Sequence, residues 1–154
     1  MASDINERIK ELGIEIPQLP EPVFSYVPGV ITGNLIYVSG QTPTKDGELV
    51  SKGKVGGDLT VDEGYKAAKL AAVNCLAELK LVLGDLNRVV RIVNMSGYVA
   101  SEEGFVQQPA VVNGASDLIV KIWGEKGKHS RKAIGVFELP GGAPVEIELI
   151  AEIK

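Results

Sequence analysis

The sequence predicts a two-layer α/β (α+β) domain, a mixed β-sheet with two long helices on one face. Three observations carry this. A capped amphipathic helix follows Thr60, a second apolar helical face runs from Val106 to Trp123, and a strictly alternating strand closes the chain from Val145 to Ile153. The length of 154 residues fits one domain, with residues 1–22 as an N-terminal helix and connector and 23–154 as the core.

Taken in order, residues 4–12 read as a short helix. Ser3 or Asp4 can cap it, Ile5, Ile9 and Leu12 recur at helical spacing, and Gly13 can end it. Pro17, Pro20 and Pro22 then make an extended connector. Ser25 to Thr32 and Leu35 to Ser39 read as two strands joined at Gly33-Asn34, a dipeptide suited to a two-residue hairpin turn with positive φ. Thr42 to Asp58, rich in glycine and charge, reads as a long surface loop with a short strand near Leu49-Val50.

Thr60-Val61-Asp62-Glu63 fits a capping box. Tyr65, Ala68, Ala72, Leu76, Leu79 and Leu83 then mark one apolar face as far as Gly84. Arg88 to Ala100, rich in Val and Ile, reads as a strand. In the helix from Val106 to Trp123, Val111, Ala115, Leu118, Ile119 and Ile122 share a face, Pro109 suits the first turn, and Gly124 and Gly127 end it. Arg131 to Glu138 and Val145 to Ile153 are the last strands, so the order is α-ββ-α-β-α-ββ. Two helices cover only one sheet face. The other face, expected to carry Arg131, Ala133 and Gly135, is a natural oligomer interface or cleft wall.

Composition narrows the function. A net charge of -4 argues against broad nucleic-acid binding, which needs a basic surface to displace counterions. One cysteine, Cys75, excludes an intrachain disulfide, and its place among Ala71 and Ala72 reads as core. The polar start lacks the pattern of a secretory signal, and no apolar run approaches the ~20 residues that span a bilayer. A cytoplasmic protein with no membrane contact is the expectation. One histidine, His129, cannot build a histidine-rich metal site, and paired Cys spacing is absent, so neither a metal nor a cofactor is expected. His129 reads as a loop residue, with a proton shuttle as the sharper alternative.

Tyr26-Val27-Pro28-Gly29-Val30, Val38-Ser39-Gly40-Gln41-Thr42-Pro43, Arg131, Glu138-Leu139-Pro140 and Val145-Glu146-Ile147-Glu148 follow one another in order from about Val23 to Ala151. This succession resembles the RidA/YjgF family, also called the reactive-intermediate deaminase or L-PSP endoribonuclease family. The stretch His129 to Val136 and the added N-terminal helix are similar to its longer variant branch.

The resemblance implies a chorismate-mutase-like fold, a homotrimer and ligand clefts between neighbouring subunits. The implied activity is hydrolysis of 2-enamines and 2-imines, such as 2-aminoacrylate, to 2-keto acids and ammonia. Arg131 takes the position that binds the substrate carboxylate, a task suited to a planar donor fork; a surface ion pair is the plain alternative. Glu146 takes the position that holds the attacking water, against the plain reading of a solvated carboxylate on an alternating strand. Tyr26, Ser39 and Gly40 match lining positions across the cleft, and Asn113 matches a position in the second helix. Ala133 stands where many members carry cysteine, so thiol modification cannot control this protein there. Two other readings stand beside the deaminase: a non-catalytic trimeric binder of small carboxylates, and an endoribonuclease.

Overall fold

The computed structural model describes residues 3–154; Met1 and Ala2, the start of the expected N-terminal segment, lie outside the described residues. In chain order the elements are α1 (Ile5–Glu11), β1 (Gly29–Thr32), β2 (Leu35–Gln41), β3 (Thr44–Lys45), β4 (Glu48–Leu49), α2 (Val61–Leu83), β5 (Val89–Ala100), α3 (Gln108–Trp123), β6 (Ser130–Val136) and β7 (Val145–Ile153). Five strands form one sheet in the order β1-β2-β7-β5-β6. All its pairs are antiparallel except β5 with β6, which are parallel. A mixed sheet of this kind needs a crossover between its parallel strands, and α3 supplies it.

The last strand of the chain lies at the centre of the sheet. Val145, Ile147, Leu149, Ala151 and Ile153 are buried beneath the helices, while Glu146, Glu148, Ile150 and Glu152 turn to the other side. Helices α2 and α3 cover the first of these faces. The capping box at the start of α2 is formed: Thr60 Oγ1 accepts the Glu63 amide at 3.1 Å, and Glu63 Oε1 accepts the Thr60 amide at 3.3 Å. Gly84, at φ +79°, ends the helix. The two helices touch through Gly114, where a Cβ would run into the Tyr65 carbonyl. Asp4 caps α1 by accepting the Asn6 and Glu7 amides, and Arg8 Nε donates to the Lys121 carbonyl, tying α1 to α3.

Several expectations shift. The first strand starts at Gly29 rather than Ser25, because Pro28 has no N–H to give a ladder; its carbonyl instead accepts the Ser39 amide. The Thr42–Asp58 loop contains the β3–β4 hairpin, turning at Asp46 and Gly47, both at positive φ. The expected turn at Gly33-Asn34 is present, with positive φ at Gly33 alone.

The placement of Arg131, Ala133 and Gly135 is corrected: they lie on the helix-covered face, not the bare one. In the parallel ladder Arg131 stands beside Met95, which is fully buried under the helices, and side chains in register share a face. Ala133 packs against the core. The bare face receives Lys132 and Ile134, together with Ser96, Tyr98, Glu146 and Glu148 from the neighbouring strands.

Candidate functional site

The expected site residues fall into two groups. The first lies at the β6 edge, under α3. Arg131 Nη1 donates to Asn113 Oδ1 at 2.8 Å and to Ser116 Oγ at 3.1 Å. Asn113 and Ser116 are three residues apart on α3 and so share a helix face. Ser116 Oγ is also 2.9 Å from His129 Nε2, and His129 Nδ1 is 2.6 Å from the Gly127 carbonyl. Burial is the main cause that lowers the His129 pKa, and the Arg131 charge adds to it against the opposing Gly127 contact. Burial and the Arg131 charge thus both favour the neutral ring. Ala133, two residues beyond Arg131, lines the same side of the strand.

Both Nη1 protons of Arg131 are committed. Among the described residues, no hydrogen bond uses its Nε–H or Nη2–H groups, and none of the ion pairs includes it. The free edge of the guanidinium is a parallel pair of donors, the geometry that meets a carboxylate in bidentate fashion. The plain alternative of a surface ion pair is absent among the described residues.

The second group gathers around the end of β2. Val38 pairs with Leu149 and Gln41 with Ile147, so Ser39 and Gly40 together oppose the single residue Glu148. This bulge re-aims the strand. Gly40 then lies so close to Glu146 that a Cβ there would stand 2.9 Å from Glu146 Oε2. Ser39 Oγ donates to the Val27 carbonyl at 2.6 Å, holding the segment that carries Tyr26. Tyr26 is half-exposed and stacks on Phe24, with ring centroids 6.2 Å apart. Tyr26, Ser39 and Gly40 line an open groove of about 860 Å³; Arg131 is not among its lining residues.

Glu146 is half-buried, and its pKa lies above the ordinary carboxylate value. Burial is the larger cause and the neighbouring Glu148 charge the smaller. Glu148 in turn accepts the Tyr98 hydroxyl at 3.0 Å. Cys75 is buried, with its thiol toward the Ile147 carbonyl at 3.3 Å, and burial pushes its pKa up, as befits a core residue.

Within one chain the two groups do not meet. Arg131 is level with Leu149 on β7, three residues from Glu146, and β5 runs between. Strand spacing and rise then put the two Cα atoms roughly 14 Å apart. Their side chains also leave opposite faces of the sheet. Of the residues nominated from the sequence as one site, the structure puts Arg131, Asn113 and Ala133 in one group and Tyr26, Ser39, Gly40 and Glu146 in the other. Sequence reading missed Ser116, for which the spacing from Asn113 on a helix is the available signal, and it read His129 as a loop residue or a proton shuttle rather than as a partner of Ser116.

Comparison with known proteins agrees with this architecture. Residues 6–153 match the family described as "YjgF/chorismate_mutase-like, putative endoribonuclease". The chain is 41% identical over 147 residues to Protein TCP17 of Trypanosoma cruzi, covering 95% of this chain and 92% of that one. It is similar to the crystal structure of a protein of unknown function from Agrobacterium tumefaciens, at 47% identity and a TM-score of 0.88, covering 97% of this chain and 91% of that one. It also resembles the RidA of an Antarctic Psychrobacter, at 26% identity and a TM-score of 0.60, covering 88% and 94%. The extent of these matches and the mixed sheet under two long helices together make this chain a member of the RidA/YjgF family.

Proposed function

We propose that the protein hydrolyses reactive 2-enamine and 2-imino acids, such as 2-aminoacrylate, to 2-keto acids and ammonia. The observation that carries this reading is the half-buried Arg131, held on one side by Asn113 and Ser116 and without an acidic partner among the described residues. Its free edge suits the carboxylate beside the electrophilic C2 of an imino acid.

The chemistry balances with water alone. An enamine first tautomerises to its imine. Water then adds its oxygen to C2 as the C=N π electrons move to nitrogen, and Glu146 takes the proton from the water. That proton passes to nitrogen, giving a carbinolamine. Glu146 then takes the hydroxyl proton and delivers it to the amine as the O–H electrons form the C=O bond and the C–N bond breaks, so ammonia leaves and the 2-keto acid remains. The raised pKa of Glu146 supports this double duty, since a base that must also give its proton back works best near the operating pH.

The two groups belong to one site only if they come from different chains. In this reading the protein is a homotrimer, and Arg131, Asn113 and Ala133 of one copy face Tyr26, Ser39, Gly40 and Glu146 of the next. A head-to-tail interface that closes in three steps places such a cleft at every boundary. A second reading, a trimeric binder of small carboxylates without catalysis, draws on one observation: the Arg131 group is complete without Glu146. An endoribonuclease draws no support from an acidic chain whose single histidine is engaged behind Arg131. The test is coupled deamination, with a serine or threonine dehydratase supplying the imine. Faster keto-acid formation with the protein than without it supports the hydrolase. An unchanged rate, with carboxylate binding retained, selects the binder.

A further inference from the structure

The guanidinium of Arg131 is aimed by a chain of hydrogen bonds that reaches back to the imidazole of His129. We propose that His129 is a positioning residue for Arg131, acting through the Ser116 hydroxyl to hold the guanidinium with its free edge turned toward a bound carboxylate. This rests on the reading of Arg131 as a carboxylate anchor.

Proton counting fixes the direction of each bond. The Gly127 carbonyl can only accept, so the ring proton sits on Nδ1, 2.6 Å away. Nε2 of the neutral ring then carries a lone pair and accepts the Ser116 hydroxyl at 2.9 Å. Ser116 has one proton. With it turned to His129, the oxygen keeps its lone pairs for the Arg131 Nη1–H at 3.1 Å. Met95 Sδ, 3.7 Å from the same oxygen, is a weak acceptor and does not compete with the imidazole. Without the ring acceptor the hydroxyl can rotate and set its own proton against Nη1–H. The guanidinium then keeps only Asn113, at 2.8 Å, and a single contact does not fix its plane.

The groups around the ring leave it to this one task. From α3 come Ser116 and, next in sequence, Asp117, whose carboxylate is taken by the Tyr65 hydroxyl at 2.7 Å. The turn over Gly124–Gly127 presents the Gly127 carbonyl. Lys128 and Glu125 pair with each other, and Lys132 turns to Ser96 on the other face of the sheet. Arg131 is the charged group that acts on the ring, and it favours the neutral form.

The experiment measures binding of pyruvate, a non-reacting 2-keto acid, by calorimetric titration of the full chain, together with kcat and KM for imine clearance. His129→Leu is expected to weaken pyruvate binding ~5- to 10-fold, the scale of one net hydrogen bond. His129→Gln, whose amide oxygen can accept from Ser116, is expected to return the affinity to within about twofold of the wild type. Ser116→Ala should match His129→Leu, and the double variant should be no worse than Ser116→Ala alone, because the histidine acts only through that hydroxyl. Wild-type affinity in Ser116→Ala or His129→Leu, or additive losses in the double variant, would overturn the proposal. If His129→Leu does not fold, Ser116→Ala and His129→Gln decide it, since loss in the first and retention in the second are both required. Arg131→Ala separates the two levels. Wild-type pyruvate binding in that variant removes the anchor itself, whereas lost binding there beside unaffected Ser116 and His129 variants removes only the positioning role.

Discussion

Arg131 commits one guanidinium nitrogen to the protein and leaves two without a partner among the described residues. Arg131→Ala is expected to reduce carboxylate binding by one to two decades, since hydrogen bonds to a charged group contribute about 1.5–3 kcal/mol. The loss in imine clearance should be larger, because a misplaced electrophile misses its water. Arg131→Lys should be nearly as damaging, since a point charge restores attraction but not the fork. Melting temperature and oligomer mass, measured beside the rate, should show both variants folded; full activity in a folded Arg131→Ala protein would remove the anchor. Glu146 adds a pH signature. Its raised pKa means that the base is lost, as pH falls, at a higher pH than an ordinary carboxylate would give. The native state also holds this proton more tightly than the unfolded chain, so ionising Glu146 costs stability as pH rises through the raised value. Glu148→Gln removes the like charge beside it. The acid limb of kcat/KM should then move to lower pH, and a limb that stays in place would assign it to another group.

At the scale of elements, two glycines make opposite predictions. A Cβ at Gly40 meets the tip of the Glu146 side chain, which can swing away. Gly40→Ala should therefore lower kcat while the melting temperature barely changes, and unchanged kcat would detach Gly40 from the site. A Cβ at Gly114 meets the Tyr65 backbone, which cannot yield without parting α2 from α3. Gly114→Ala should destabilise by about 1–3 kcal/mol or more in chemical denaturation, as overpacking does; equal stability would contradict this helix contact. The same local and non-local distinction decides what the sequence revealed. The start of α2 was legible because Thr60 and Glu63 cap each other within one turn. The buried face of β7 was legible because its alternation is unbroken. The orientation of β6 was not, because this edge strand points Ile134 to the bare side and Arg131 under α3, against the usual apolar rule. Only pairing with Met95 sets it, and that pairing is remote in sequence. The bulge that brings Ser39 and Gly40 to Glu146 depends in the same way on the register with β7.

At the scale of the whole molecule, Arg131 and Glu146 leave opposite faces of one sheet. The bare face joins exposed Tyr37 and Ile134 to Lys132 and the row of glutamates on β7, a surface of the kind that a second copy covers. Light scattering should give a trimer mass at micromolar concentration, and a monomer would leave the site divided. The most direct test mixes two defective chains, Arg131→Ala and Glu146→Gln, each nearly inactive alone. Co-assembled trimers, with mixing confirmed by native mass, should regain imine clearance, because an intact Arg131 can face an intact Glu146 across a subunit boundary. Random head-to-tail assortment restores about one cleft in four. Activity near a quarter of the wild type is the predicted result. Activity no greater than that of the two parents, in trimers shown to be mixed, would contradict a site shared between chains.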